Sequence, residues 1–272
     1  MKKKASKIDY SKSMLPRTRR EQFLDCFKMN YIVLLKCGLM LLVFFAPLII
    51  FSMFMDLFFD SLMVHSTEEI EQTKMIFHYL YNGGLITLSL IAIMGLTGII
   101  HVLRNLIWGE GIFFKDDFSS GIKQNIGKNL IFGVIFGLFY GLAFFVYYLF
   151  RDNFISLFGI LLFALVFLPI YFWIMLLNNT YNSRVGGLLR NGLYFYTKNI
   201  GWSLLGILMP LSLVGLLFIP FVWLKYIVLV LIVVFVYPIM ILIMVLYSTA
   251  KFDASINKDQ YPDYYLRGLN DQ

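Results

Sequence analysis

The stretch GLTGIIHVLRNLIWGEGIFFKDDFSSGIKQNIGKN, residues 95–129, decides how the rest of the chain is read. It leaves one apolar run through Gly95 and Gly98. It then crosses a polar segment holding Arg104, Glu110, Lys115, Asp116, Asp117, Lys123 and Lys128, and enters a second apolar run at Asn129. Two apolar runs joined in this way read as two membrane-spanning helices with a loop outside the hydrocarbon layer. The rest of the chain repeats the pattern.

Composition sets the same class. Of 272 residues, 60% are hydrophobic, 18% aromatic and only 14% charged, too few polar side chains to cover a soluble globule of this length. The expected fold is an all-α membrane protein with the lipid bilayer as its solvent and no room for a separate soluble catalytic domain. The net charge of +7 sits beside the apolar runs, which fits membrane topology and anionic lipid rather than a nucleic acid. Cys26 and Cys37 give no disulfide framework. On one helix they would stand about 16 Å apart along the axis, so they read as reduced or lipid-facing.

Six runs are long enough to cross about 30 Å of hydrocarbon, near residues 31–55, 84–103, 129–150, 154–177, 200–220 and 226–247. Between Leu204 and Tyr247 the only charge is Lys225, and one straight helix of that length would be about twice too long, so the chain is expected to fold back around Pro220 and Lys225. This divides the protein into a basic arm (1–28), a six-helix domain (29–248) and a tail (249–272). Lys and Arg side chains number nine in the arm, four in the 104–128 loop, three in the 178–199 loop and three in the tail. The other side has Lys74, Arg151 and Lys225, so the positive-inside rule puts both termini in the cytoplasm, in a multi-pass protein of the cell membrane. Residues 56–82 read as an outer amphipathic segment with His65 and His78 exposed, without the spacing of a metal site.

A weak repeat runs through the chain. FLDCFKMNYIVLL, FSSGIKQNIGKNL and GLYFYTKNIGWSL align on Asn30, Asn125 and Asn199, with apolar residues at matching offsets. This points to three units, each an amphipathic helix followed by a helical hairpin, with each Asn at a helix break. In the third run, Gly133, Gly137 and Gly141 recur every four residues and present a face for close helix packing, with Gly95 and Gly98 as expected counterparts.

Candidate functional residues are sparse. Arg104, Glu110, Asp116, Asp117, Lys123 and Asn125 in one loop, with Arg184, Arg190 and Asn199 in the next, form a candidate partner-docking surface. Alternatively, Arg104 and Lys123 reach lipid phosphates while the acids are simply solvated. Asn178 and Asn179, beside the proline-interrupted runs, are candidates for a polar path through the membrane. No nucleophile–base set, phosphate-binding glycine loop or HExxH sequence stands out, so the expectation is a non-enzymatic protein with no cofactor and no metal.

Residues 95–129, with the Arg104 exit, the Gly109-Glu110 turn, Phe118, Lys123 and Asn125, resemble the central signature of the YesL-like family of bacterial integral membrane proteins. The Asn30 entry to the first run is similar to the family's start. RVGGLLRNGLYFYTKNIGWSLLGIL, with Arg184, Arg190 and Asn191, is similar to its second cytoplasmic loop. The resemblance covers most of residues 22–268; the long basic arm and the extended segment 56–82 depart from it. It implies about six helices, no catalytic residues to carry over, and an association with carbohydrate uptake in Gram-positive bacteria. The expected role is therefore an accessory or regulatory component beside sugar ABC transporter subunits, with an autonomous small-solute transporter as the alternative.

Overall fold

A computed structural model describes residues 15–63, 68–150, 154–204, 215–216 and 219–270, with backbone only for the described residues among 60–74 and for Ile155. Among these residues the secondary structure is helical, without strands. The helices are α1 (Arg19–Met29), α2 (Tyr31–Met63), α3 (Glu68–Ile107) and α4 (Phe114–Leu149). They are followed by α5 (Ile155–Leu162, a π-helical turn at Phe163–Phe167, then Leu168–Thr180), α6 (Val185–Lys198), α7 (Ile200–Ser203) and α8 (Val222–Gln260).

Five of these helices contain segments long and apolar enough to cross a membrane: Tyr31–Phe59, Met75–Ile107, Phe114–Leu149, Ser156–Thr180 and Val222–Gln260. They correspond to the expected runs at 31–55, 84–103, 129–150, 154–177 and 226–247. The run at 200–220 falls mostly on residues 205–214 and 217–218, outside the described residues.

The polar loop expected at 104–128 is the largest departure. Only Trp108–Phe113 is non-helical: α3 continues through Arg104 to Ile107, and α4 begins at Phe114. Asp116 and Asp117 lie in the first turn of α4, where carboxylates oppose the positive end of the helix dipole. Asp117 Oδ2 also accepts from Phe113 N at 2.8 Å and fixes the turn. Asn125 therefore lies within a continuous helix, where its amide donates to the Gly121 carbonyl at 3.1 Å, and does not mark a break. Asn30 and Asn199 do mark breaks. Each caps a short helix, with its N–H returning to the carbonyl four residues back, Cys26 and Phe195 respectively.

The segment 56–82 is not a separate surface helix. Residues 56–63 finish α2 and residues 68–82 begin α3. Phe58 packs tilted against Phe77 with ring centres 4.5 Å apart and Phe59 stacks on His78 at 4.7 Å, so aromatic side chains that would otherwise seek lipid are used inside the hairpin. His78 is accordingly half-buried; His65 lies outside the described residues.

α3 packs most extensively against α4 and α2, and α8 crosses α2 and α3. The glycines act by admitting large side chains, not by meeting one another. A Cβ on Gly133 would come 2.8 Å from Ile93, and one on Gly137 would come 2.8 Å from Ile86, both on α3. Gly141 has looser contact with Ile86; Gly95 admits Phe44 of α2 and Gly98 admits Phe118 of α4. The tightest approach is at Gly38 of α2, where a Cβ would overlap the Val234 carbonyl in a π-helical turn of α8.

Polar contacts gather α1, the 108–113 turn, the 181–184 turn and the tail at one end of the bundle. Arg19 pairs with Asp253 at 2.5 Å, Gln22 donates to the carbonyls of Ile107 and Gly268, and Arg267 pairs with Glu110 at 2.7 Å. These segments and the helix ends beside them carry Arg17, Arg19, Arg20, Lys28, Arg104, Lys115, Arg184, Lys251, Lys258 and Arg267, so this is the basic end. At the far end Lys225 pairs with Asp56, which also accepts from Tyr226 OH at 2.9 Å.

Candidate functional site

A buried polar network lies just inside the basic end, where α3, α4 and α5 meet. On α3, Thr97, His101 and Asn105 fall at four-residue spacing, as do Gly121, Asn125 and Asn129 on α4, so each set forms one helical stripe. The C-terminal turn of α5 adds Asn178 and Asn179 between them.

The bonds form a connected chain. Asn129 donates to Thr97 Oγ1 at 2.8 Å and accepts from Asn178 at 2.8 Å; Asn178 also donates to the Asn125 carbonyl at 2.9 Å. Asn125 donates to Asn179 Oδ1 at 3.1 Å, and Asn179 donates to the Met175 carbonyl at 2.9 Å. The Asn179 carbonyl accepts from Arg104, whose guanidinium also donates to Asn105 Oδ1 at 2.9 Å, and Asn105 in turn donates to Asp117 at 3.4 Å. Buried amides in a hydrocarbon-surrounded bundle are costly unless paired, and this arrangement pairs them across three helices.

Arg104 then links the network to the tail. Its guanidinium lies 4.5 Å from the centre of the Trp108 ring, and Arg267 lies at the same distance from that ring. Tyr264 stacks on Trp108 at 5.1 Å. Nearby, Tyr181 donates to Asn257 Oδ1 at 2.5 Å; burial, with Asp253 and neighbouring tyrosines adding to it, pushes its phenol well above the usual range.

The structure divides the sequence-derived docking set. Arg104 is half-buried, Asp117 and Asn125 are buried, and all three belong to the internal network. Glu110 is half-buried and bound to Arg267, and Asn199 is half-buried and accepts from Tyr247 OH at 3.2 Å. Asp116, Lys123, Arg184 and Arg190 are exposed. Asn178 and Asn179 come together with Asn125, but their amides are bonded to protein groups and neither lines the large cavity between the helices. The cysteines are buried, Cys26 on α1 and Cys37 on α2, and so do not face lipid.

Sequence reasoning missed Asn129, His101, Asn105, Thr97 and Tyr171, whose hydroxyl donates to the Asn129 carbonyl at 3.1 Å. The available signal was the four-residue recurrence of polar side chains in two neighbouring apolar runs. Among the described residues no cluster of three or more His, Cys, Asp or Glu is placed to hold a metal. No protein-family model, curated protein or solved structure matches this chain.

Proposed function

We propose that this protein is a non-enzymatic, multi-pass component of the cytoplasmic membrane that serves as an accessory or regulatory partner of a sugar transport system. The observation that carries the docking part of this reading is the division of polar groups at the basic end. The inward set is consumed in holding helices together, while Asp116, Lys123, Arg184 and Arg190 project from a scaffold tied by the Arg19–Asp253 and Arg267–Glu110 pairs. Fixed, exposed charges of this kind suit recognition of a complementary partner surface and contribute orientation more than bulk affinity. The sugar-transport part rests on the resemblance to the YesL-like family.

The basic end faces the cytoplasm in this proposal, by the positive-inside rule. A sixth crossing belongs to it as well: Ser203 bonds to Trp173 towards the basic end, whereas Tyr226 bonds to Asp56 at the far end. The test is crosslinking in native membranes followed by affinity purification and mass spectrometry. Transporter permease or solute-binding subunits, linked through α6 and the exposed start of α4, are expected. Charge reversal at Lys123, Arg184 and Arg190 is expected to abolish their recovery, and unchanged recovery would defeat the docking surface. Recovery of the chain alone would defeat the accessory reading.

A further inference from the structure

A cavity of about 330 Å³ lies at mid-length of the bundle between α2, α3, α4, α5 and α8. Its wall is almost wholly hydrocarbon, including Phe45, Ile93, Leu96, Phe136 and Met175. Gly133, Gly137 and Ala92 contribute no side chain, or only a methyl group, to the wall. The volume falls in the range of small-molecule sites, and a dry apolar cavity of this size forfeits the contacts that filling it would restore.

Three hydroxyls on the wall already have hydrogen-bond partners. Ser89 donates to the Ile86 carbonyl at 2.7 Å, Tyr140 to Asn82 Oδ1 at 2.9 Å and Tyr171 to the Asn129 carbonyl at 3.1 Å. The last two pairs bracket the cavity at its far and basic sides. Between them the α3 wall from Leu85 to Leu96 runs about 16 Å by helical rise, giving an elongated apolar slot. A sugar or an ion entering it would lose its hydration without matching donors and acceptors. A hydrocarbon chain loses nothing of the kind.

We propose that this cavity holds one acyl chain of a membrane phospholipid as a resident ligand. Its position midway along helices able to cross a bilayer puts it at the depth where acyl chains are the abundant apolar species. Half-buried wall residues Leu48, Leu85 and Phe163 place its edge within reach of the lipid-facing surface. The site depends on the bundle lying in a membrane and is independent of the accessory role.

The test uses the full chain in phosphatidylglycerol–phosphatidylethanolamine liposomes containing a phosphatidylglycerol with a diazirine at mid-chain. After photolysis, crosslinked residues are mapped by mass spectrometry while the probe's mole fraction is varied. Crosslinks at Ile93, Phe136 or Met175 are expected to saturate at low mole fraction, whereas those at Leu138, 68% exposed on the outer face of α4, rise in proportion to it. Ser89→Phe, which puts a ring into the slot, is expected to lower the interior crosslinks about tenfold and leave those at Leu138 unchanged. Interior crosslinks that are absent, or that rise in step with Leu138, would overturn the site. Saturation in the unsubstituted chain decides the matter if Ser89→Phe does not fold.

Discussion

Replacing Asn129 by Leu tests whether the asparagine network is a principal tie between α3, α4 and α5. Asn129 is fully buried, and its amide both donates to Thr97 and accepts from Asn178, each at 2.8 Å. Two hydrogen bonds are lost, each worth about 0.5–1.5 kcal/mol net in water and about 0.6 kcal/mol on average between membrane helices. Thr97 still donates to the Ile93 carbonyl at 2.8 Å and Asn178 still donates to the Asn125 carbonyl, so one amide hydrogen of Asn178 is orphaned. That orphan costs about 1–3 kcal/mol, against which the leucine recovers about 1 kcal/mol of apolar burial. The net expectation is a loss of about 2–3 kcal/mol by this reckoning. Asn178→Leu should cost a similar amount. The double substitution removes both partners together and should fall short of the sum by about 1 kcal/mol, the signature of direct coupling. Reversible unfolding in mixed dodecyl maltoside–SDS micelles, followed by tryptophan fluorescence, measures all three. Single losses below about 0.5 kcal/mol, or strict additivity, would refute the network as a stabilising tie.

A Cβ at Gly38 has no room against the Val234 carbonyl, a backbone atom that cannot rotate away, so Gly38→Ala should lower the thermal midpoint with a loss of about 1–3 kcal/mol. Gly127→Ala on the open face of α4 should leave it unchanged or raise it by up to about 1 kcal/mol, through better helix propensity. Burial first, and the Asp25 charge second, push the Cys26 thiol up to about 12, so folded protein at pH 7.5 should resist maleimide while SDS-denatured protein is labelled within minutes. The folded chain holds this proton after the unfolded chain has released it near pH 8.5, so this contribution to stability is complete below pH 8.5 and declines from there to about 12.

Hydropathy is summed along the chain, so the sequence alone determined what depends on such sums. The all-α class, five apolar helices near the expected runs and the grouping of basic segments followed from it. Short-range rules also placed the breaks at Asn30 and Asn199. The same rules failed at Asn125, because a polar side chain at a break and one in a helix paired across an interface look alike in one dimension. Arg104 and Asp117 read as loop charges for the same reason: their inward direction depends on α3 and α4 continuing as helices until their polar stripes face Asn178 and Asn179. Phe58, Phe59, Phe77 and His78 likewise became hairpin contacts only when α2 and α3 stood side by side. Tertiary structure decided which polar groups are inside and which remain exposed, because a hydrogen bond or a ring contact needs two faces, and the meeting of faces is set by packing over distances that local sequence does not encode.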